Sequence, residues 1–364
     1  MPATEFPSLP SGIRGRDAEL ATLTRTIRAT APARIALVGA GGSGKSILAA
    51  ALGHRLARRF GGRIHWFRVG RWDYRTLLEM FALRLGTSRQ SDERVAGLQS
   101  FLSAREHLIV LDNHEDDEAT ARLLELLGGT PTTFIITARR CLLSGVLIFP
   151  VAAPLVTSGR SAFPRVAALT RLLRWNPLAL DIADAIVQSR AATTGQLRRW
   201  LLAEGVTRVR VIEHEDDLPE VALLVDWAWR RLPPSSRRML AVLSHVDGDH
   251  LDPDSLAKLA RIPRGKDEAL RSLRRWRLVQ EPMRQRYAVH AVVRHAVARR
   301  TRPATARVFE YYVRLLEAHP ERFEVEQTHL FAAMDHANRL GELPSILRVD
   351  RLFDRLSADP GRRS

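Results

Sequence analysis

The chain contains the stretch Gly39-Ala40-Gly41-Gly42-Ser43-Gly44-Lys45-Ser46, between an apolar run at 35–38 and a helix-forming segment at 47–52. This is the pattern GxxxxGK[ST] in the order strand, glycine-rich turn, helix, which is typical of a phosphate-binding loop. Glycines allow successive backbone N–H groups to converge on phosphate oxygens, and the N-terminus of the following helix adds its partial positive charge. We therefore predict that this stretch binds the phosphates of a nucleotide.

Two side chains of the loop, those of Lys45 and Ser46, have specific predicted roles. Lys45 is expected to reach the β- and γ-phosphates, and the Ser46 hydroxyl is expected to ligate Mg²⁺. The chain has only three lysines among its 56 Lys and Arg residues, which makes a chance lysine at this position a poor explanation. The nucleotide contacts predicted for this region are those of Gly39, Gly41, Gly42, Ser43, Gly44, Lys45, Ser46 and Ile47.

Length and composition set the class of protein. A chain of 364 residues predicts two or three domains, and 45% hydrophobic with 26% charged residues is ordinary for a soluble globular protein. No apolar run approaches the roughly 18 residues of a membrane span, and the N-terminus lacks the pattern of a secretory signal. The single cysteine, Cys141, excludes an intrachain disulfide and fits a reducing compartment, so we predict a cytoplasmic protein.

The net charge of +16 has two explanations. It is compatible with a basic surface that binds nucleic acid. It is equally compatible with a general preference for arginine, because the arginines are spread over every segment of the chain instead of forming one run.

The pattern of strands and helices predicts an α/β fold. Apolar runs predict strands at 34–38, 64–69, 108–112, 132–137 and 146–149, with helices between them. This alternation indicates a doubly wound parallel sheet. The run at 108–112 ends in Asp112, and ligands in such sheets bind at the C-terminal ends of the strands. Asp112 is therefore predicted to hold Mg²⁺ together with Ser46.

Two further residues are candidates beside the phosphates. Glu115 lies near enough to Asp112 in sequence to orient water, although an acidic loop in solvent would look the same. Arg139 follows the strand at 132–137, where a guanidinium can meet a γ-phosphate. An ordinary surface arginine is the alternative in a chain this rich in arginine.

The strand pattern stops after about residue 155, and the remainder is predicted to be mainly helical. We divide the chain into a lead-in at 1–11, a nucleotide-binding domain at 12–155, a helical domain at 156–210, a winged-helix domain at 211–300 and a C-terminal helical segment at 301–364. The winged helix is predicted from three helices followed by two short strands around Pro282. The last segment is similar to the start of a helix-pair array.

The order of these pieces resembles the NB-ARC branch of the STAND ATPases, a class of signalling P-loop NTPases, over residues 12–300. The resemblance rests on the phosphate loop and on Leu108–Asp112, together with four shorter elements. These elements are Ile13-Arg14-Gly15-Arg16, Thr137-Ala138-Arg139, Asn176-Pro177-Leu178-Ala179-Leu180 and Val289-His290-Ala291.

The resemblance implies a switch that binds ADP in a closed monomer and ATP with Mg²⁺ in an open, self-associating form. It implies adenine contacts from Ile13, Arg16 and Pro177, a γ-phosphate contact from Arg139, and a contact of His290 with the ADP β-phosphate. The acid that commonly follows the Walker B aspartate is Asn113 in this chain, so at most slow ATP hydrolysis is expected, with Lys45, Asp112, Glu115 and Arg139 as its residues. Ala291 replaces a further aspartate of the family.

Other functions remain open at this level. The winged helix could read DNA through Arg271, Arg274 and Arg275, which share one face of a predicted helix at 266–277. A metabolic ATPase or kinase is a weaker alternative, since no acceptor pocket is evident in the sequence. Expected partners are ATP and ADP, further copies of the chain, and a separately encoded effector or sensor protein; no membrane partner is expected.

Overall fold

The computed structural model describes residues 7, 16–70, 72–87, 91–152, 163–208, 218–246 and 250–357. The chain divides into two compact units. Unit 1 comprises Met1–Gly39, Lys45–Val151 and Phe309–Ser364, and unit 2 comprises Ala40–Gly44 and Ala152–Val308. Unit 1 holds a parallel sheet, whereas unit 2 is largely helical.

The sheet of unit 1 is parallel, as the sequence predicted. Its strands are β1 (Arg34–Val38), β2 (Ile64–Arg68), β3 (His107–His114), β4 (Thr132–Ala138) and β5 (Leu147–Pro150), in the spatial order β2-β3-β4-β1-β5. The two central strands β3 and β4 are almost wholly buried, which is what continuous apolar runs in a parallel sheet require.

Helices connect these strands. They are α1 (Asp17–Thr30), α2 (Lys45–Leu56), α3 (Tyr74–Leu85), α4 (Ser91–Ser103) and α5 (Asp117–Leu126). Aspartates fix two of the helix starts, because Asp73 accepts the N–H of Thr76 in α3 and Asp116 accepts the N–H of Ala119 in α5.

Helices cover both faces of the sheet. Successive residues of a strand point to opposite faces, so neighbours in sequence enter different cores. Ile35 of β1 and Leu108 of β3 lie in the core formed with α1 and α2. The next residue of each strand, Ala36 and Ile109, lies in the core formed with α3, α4 and α5. The doubly wound α/β fold is thus confirmed.

The first helical element of unit 2 in the described residues is a 3₁₀ helix at Pro164–Leu169. The helices that follow are α6 (Pro177–Gln188), α7 (Thr194–Arg208), α8 (Pro219–Arg231), α9 (Pro234–Ser244), α10 (Pro253–Leu259), α11 (Lys266–Arg275) and α12 (Ala291–Ala298). An antiparallel hairpin of β6 (Gln280–Met283) and β7 (Arg286–Ala288) lies between α11 and α12. The elements predicted for a winged helix are therefore present in the predicted order, and the winged-helix assignment itself stays a prediction.

The C-terminal helices are α13 (Thr305–Ala318), α14 (Phe323–Leu340) and α15 (Leu343–Ser357). Helix α14 packs on α3 of unit 1, where the ring of the buried Phe331 lies 6.1 Å from that of Trp72. Arg84 Nη2 also donates to Thr328 Oγ1 at 3.1 Å. The C-terminal segment thus extends one core of unit 1, an arrangement that the sequence did not predict.

No helix in the described part of the chain combines the length and the apolar character that crossing a bilayer requires.

We expect Phe331→Ala to lower the free energy of unfolding by about 3–5 kcal/mol, because it removes a fully buried ring beside Trp72. Guanidinium denaturation followed by circular dichroism measures this change. Val325→Ala is the control on the same helix; its side chain is 42% exposed, so about 0.5 kcal/mol or less is expected. Equal losses for the two variants would contradict a structural role for α14 in unit 1.

Candidate functional site

The phosphate loop follows β1 and leads into α2. Gly42 (φ 75°) and Gly44 (φ 91°) adopt left-handed conformations, which favour glycine and explain two of the glycines in the motif. The Lys45 ammonium donates to the carbonyl oxygen of Gly39 at 2.8 Å. The lysine side chain therefore folds back over the loop toward Gly39.

Lys45 has an altered acidity. Its pKa is lowered from 10.5 to about 8, chiefly by burial and then by the positive charge of Arg139, while the negative charge of Asp112 acts in the opposite direction. Phosphate oxygens would supply the negative charge that stabilises the protonated amine. The site is thus electrostatically suited to an anion.

Asp112, near the end of β3, accepts hydrogen bonds from two hydroxyl groups. Ser46 Oγ and Thr137 Oγ1 each donate to Asp112 Oδ1 at 2.6 Å. The carboxylate is buried and has hydroxyl donors from the start of α2 and from the neighbouring strand β4. Ser46 and Asp112 were predicted from the sequence, whereas Thr137 was not; its position at the C-terminal end of a central strand was the available signal.

The chain bends directly after Asp112. The pairing of β3 with β4 shifts register between Leu111 and His114, and Asn113 has a φ of 60°, in the left-handed region that asparagine tolerates. The Asn113 backbone N–H donates to Thr137 Oγ1 at 2.9 Å. This bend brings the next carboxylate, Glu115, back to the edge of the sheet.

Asn113, Glu115 and Arg139 lie together beyond the strand ends. Asn113 Nδ2 donates to Glu115 Oε1 at 2.8 Å, and Arg139 Nη2 lies 3.6 Å from the same oxygen. The backbone N–H of Glu115 is held by the Gly70 carbonyl at 3.1 Å. The structure therefore brings the predicted water-orienting and γ-phosphate residues into one cluster.

Within unit 2, the tip of the phosphate loop is in contact with two helix starts. Asn176, the N-cap of α6, donates from Nδ2 to the Gly41 carbonyl oxygen at 3.4 Å. A Cβ on Gly41 would lie 2.5 Å from Val292 Cγ2 in the first turn of α12. A side chain at position 41 would collide with Val292, so packing favours glycine there, independently of the predicted phosphate binding.

The remaining predicted residues are placed as follows. Ile13 lies outside the described residues. Arg16 is the buried N-cap of α1 and is paired with Glu19, whereas the side chain of Ile47 is 44% exposed. Pro177 is the first residue of α6, and His290 is the N-cap of α12, where its Nδ1 accepts the N–H of Val292 at 3.3 Å.

The residues present fit a magnesium–nucleotide complex. Mg²⁺ prefers oxygen ligands and is commonly held by one or two protein groups, with phosphates and water completing its octahedron. Ser46 and Asp112 supply a hydroxyl and a carboxylate that already lie within hydrogen-bond distance. Among the described residues, no three His, Cys, Asp or Glu side chains are grouped to hold a metal ion, so an all-protein metal site is not offered there.

Residues 18–131 match the family model of the NB-ARC domain. Two curated relatives are Regulatory protein AfsR of Streptomyces griseus, 25% identical over 320 residues, and Regulatory protein AfsR of Streptomyces coelicolor, 28% identical over 335 residues. These matches cover 80% and 82% of this chain, but 32% and 33% of the relatives. The chain thus spans about a third of the length of the curated relatives it matches.

Among solved structures, the chain is similar to a Signal Transduction ATPase with Numerous Domains (STAND) protein with a tetratricopeptide repeat sensor from Pyrococcus horikoshii. The TM-score is 0.57 at 16% identity, over 97% of this chain and 54% of that one. At this level of identity the similarity is one of fold.

The acidity of Lys45 generates a prediction that needs no nucleotide. The chain has three lysines, so ¹³C-dimethylation and NMR give a small set of lysine signals to follow with pH. We expect one lysine signal to titrate near pH 8 and to be missing in Lys45→Arg but kept in Lys258→Arg, the matched control. The labelled N-terminal amine titrates in the same range and remains in both variants. Because the unfolded chain keeps the Lys45 proton up to about 10.5, the Lys45 contribution to the free energy of unfolding should rise between pH 8 and 10.5. A Lys45 signal that titrates only above pH 10 would contradict the assignment.

Proposed function

We propose that this chain, in which residues 18–131 match the family model of the NB-ARC domain, works as a nucleotide-operated molecular switch. ADP would favour a closed, monomeric form, and ATP with Mg²⁺ would favour an open form that self-associates. The single observation that carries the proposal is the arrangement of Lys45, Ser46 and Asp112 around one end of the sheet. In this proposal Lys45 binds the β- and γ-phosphates, while Ser46 and Asp112 hold the ion.

The γ-phosphate must make contacts that ADP cannot make, because a ligand shifts an equilibrium only through differential affinity for the two states. Arg139 is the proposed detector. Its Nη2 lies 3.6 Å from Glu115 Oε1, and a γ-phosphate would compete with that carboxylate for the guanidinium. The loss of this ion pair would change the segment after β3, which carries both Asn113 and Glu115.

Hydrolysis in this scheme is at most slow. The Asn113 carboxamide cannot accept a proton from water, and it donates its own N–H to Glu115. Glu115 is the remaining carboxylate near Asp112 that could orient a water molecule, and its oxygen is already shared with Asn113 and Arg139. Slow hydrolysis suits a switch, since it prolongs the ATP-bound state.

We propose a regulatory or signalling output, supported by the similarity to proteins named regulatory. The effector and the sensor would be a separately encoded protein or further domains, as the much greater length of the relatives suggests. A cytoplasmic location remains part of this proposal, on the evidence of the sequence.

The alternative function, in which the predicted winged helix binds DNA, is less well supported than the nucleotide switch. Of the three arginines that the sequence suggested, Arg275 donates from Nη2 to the Ser189 carbonyl at 2.8 Å, and Arg274 Nη2 lies 3.0 Å from Glu281. Both interactions lie within unit 2. Arg271 is exposed on the same helix, but one arginine would give little base recognition.

Lys45→Ala tests the nucleotide site. A hydrogen bond to a charged group is worth about 1.5–3 kcal/mol. In the proposed site Lys45 contacts the β- and γ-phosphates of ATP but only the β-phosphate of ADP, so we expect the substitution to weaken ATP by about 100-fold or more and ADP by about 10- to 150-fold. Titration calorimetry measures both affinities. Lys258→Ala, a lysine on α10, is the matched control and should bind as the wild type does. If Lys45→Ala binds ADP and ATP as tightly as the wild type does, the prediction that residues 39–46 bind phosphate is wrong.

His290→Ala tests the switch. If His290 contacts the ADP β-phosphate, its loss should weaken ADP about 10- to 150-fold, with a smaller effect on ATP and a larger assembled fraction. The position of His290 supports this, because Val292, two residues later, lies at the loop tip. Paired titrations with ADP and an ATP analogue, together with light scattering, give the result, and His319→Ala at an exposed histidine is the control. Equal losses for both nucleotides would exclude His290 from the switch.

A further inference from the structure

Asn176 lies where α6 begins and where the tip of the phosphate loop passes, and both contacts are within unit 2. We propose that Asn176 is a positioning residue for phosphate binding: its carboxamide fixes the Gly41–Gly42 peptide so that the Gly42 N–H is turned away from α6 and remains available to an anion. This inference rests on the proposed function, because it assigns a role in binding the nucleotide phosphates.

The orientation of the Asn176 side chain is set by helix capping. Its Oδ1 accepts the backbone N–H of Ala179 at 3.0 Å, as expected of an N-cap asparagine. With the oxygen engaged by a donor, the opposite end of the amide must be the NH₂ group. That group donates to the Gly41 carbonyl oxygen at 3.4 Å. One side chain thus caps the helix and holds the loop, and it is only 6% exposed.

The geometry of the Gly41–Gly42 peptide links the Asn176 hydrogen bond to phosphate binding. In a trans peptide the carbonyl of one residue and the N–H of the next point in opposite directions. When the Gly41 carbonyl is bound by Asn176, the Gly42 N–H therefore faces away from α6. Backbone N–H groups of such a loop are its anion-binding groups. Asn176 would act on the ligand through this peptide, without touching the ligand itself.

The loop has little room for another arrangement beside α6. A Cβ on Gly42 would lie 3.3 Å from Leu178 Cβ and 3.4 Å from Asn176 Oδ1. The φ of 75° at Gly42 also excludes most other residues there. The tip therefore fits closely against the first turn of α6.

The backbone before Asn176 is held in an unusual conformation. Arg174 (φ 49°) and Trp175 (φ 57°) both lie in the left-handed region, which non-glycine residues rarely adopt. Three backbone hydrogen bonds hold this turn, from the N–H groups of 174, 175 and 176 to the carbonyls of Arg171, Thr170 and Leu173. Strained turns of this kind persist where the surrounding structure fixes a functional position. Here the turn places Asn176 where its side chain contacts both the Ala179 N–H and the Gly41 carbonyl.

Two variants separate the loop contact from the helix cap. Asn176→Ser and Asn176→Asp keep an oxygen that can cap α6, but neither has an NH₂ group that can reach the Gly41 carbonyl. Asp252→Ser, at the N-cap of α10 in the same unit, is the control for a changed cap away from the loop.

The first measurement uses the nucleotide-free protein. Glycine is supplied labelled with ¹³C at its carbonyl and with ¹⁵N. An HNCO spectrum then shows only the peptide groups that join two consecutive glycines. The sequence has three such pairs, Gly41-Gly42, Gly61-Gly62 and Gly128-Gly129. We expect both Asn176 variants to shift one of these signals and to leave the other two, while Asp252→Ser shifts none. A simple loss of helix stability would not select a single glycine pair. An unchanged Gly41-Gly42 signal would overturn the inference.

The second measurement is the affinity for ADP and for ATP by calorimetry, with the thermal midpoint of the nucleotide-free protein recorded in parallel. We expect Asn176→Ser to weaken both nucleotides alike, by about 3- to 10-fold, as the loss of one neutral hydrogen bond implies. Its thermal midpoint should fall by a few degrees at most, because the hydrogen bond to the Gly41 carbonyl that it loses is also present without nucleotide. Asn176→Asp should lose more, because a carboxylate opposes both the Gly41 carbonyl and the phosphates.

The outcomes separate the two proposals. Wild-type affinity in Asn176→Ser, with normal binding by the wild type, would overturn the role of Asn176 and leave the nucleotide switch standing. A wild-type chain that binds neither ADP nor ATP would overturn the proposed function, and this inference with it.

Discussion

The Asp112 carboxylate is the constraint around which the candidate site is organised. A buried charge is costly unless hydrogen bonds satisfy it, and Asp112 has hydroxyl donors from Ser46 and Thr137 at 2.6 Å. These donors come from the first turn of α2 and from the end of β4. Only a parallel sheet with both strand ends at the same edge brings the three together. The same groups that satisfy the carboxylate supply oxygens of the type that Mg²⁺ prefers.

The environment of Lys45 follows from this arrangement. Its amine is buried near the positive charge of Arg139 and the negative charge of Asp112, and its pKa falls to about 8. Because the surroundings of Lys45 disfavour its protonated form, a bound anion would supply negative charge that stabilises it. The low pKa of Lys45 and the phosphate binding proposed for this site thus depend on the same balance of charges.

The C-terminal helices show that domain limits drawn along the sequence differ from the cores that form in space. Phe331 and Trp72 are far apart in the chain, yet both are buried in one core of unit 1. The segment that joins β2 to α3 carries Gly70, whose carbonyl holds the N–H of Glu115, and then Trp72. The C-terminal helices therefore pack on a segment that also supports the candidate site.

The sequence by itself determined the parallel α/β sheet and the glycine-rich loop after its first strand, and it predicted Lys45, Ser46 and Asp112 as candidate residues. It could do so because these features depend on local patterns: apolar runs, a fixed glycine spacing and a carboxylate at a strand end. The tertiary structure decided the parts that depend on residues distant in the chain. Thr137 meets Asp112 only through strand pairing, Asn176 meets Gly41 only through the turn before α6, and α14 reaches α3 only through packing, none of which a local pattern encodes.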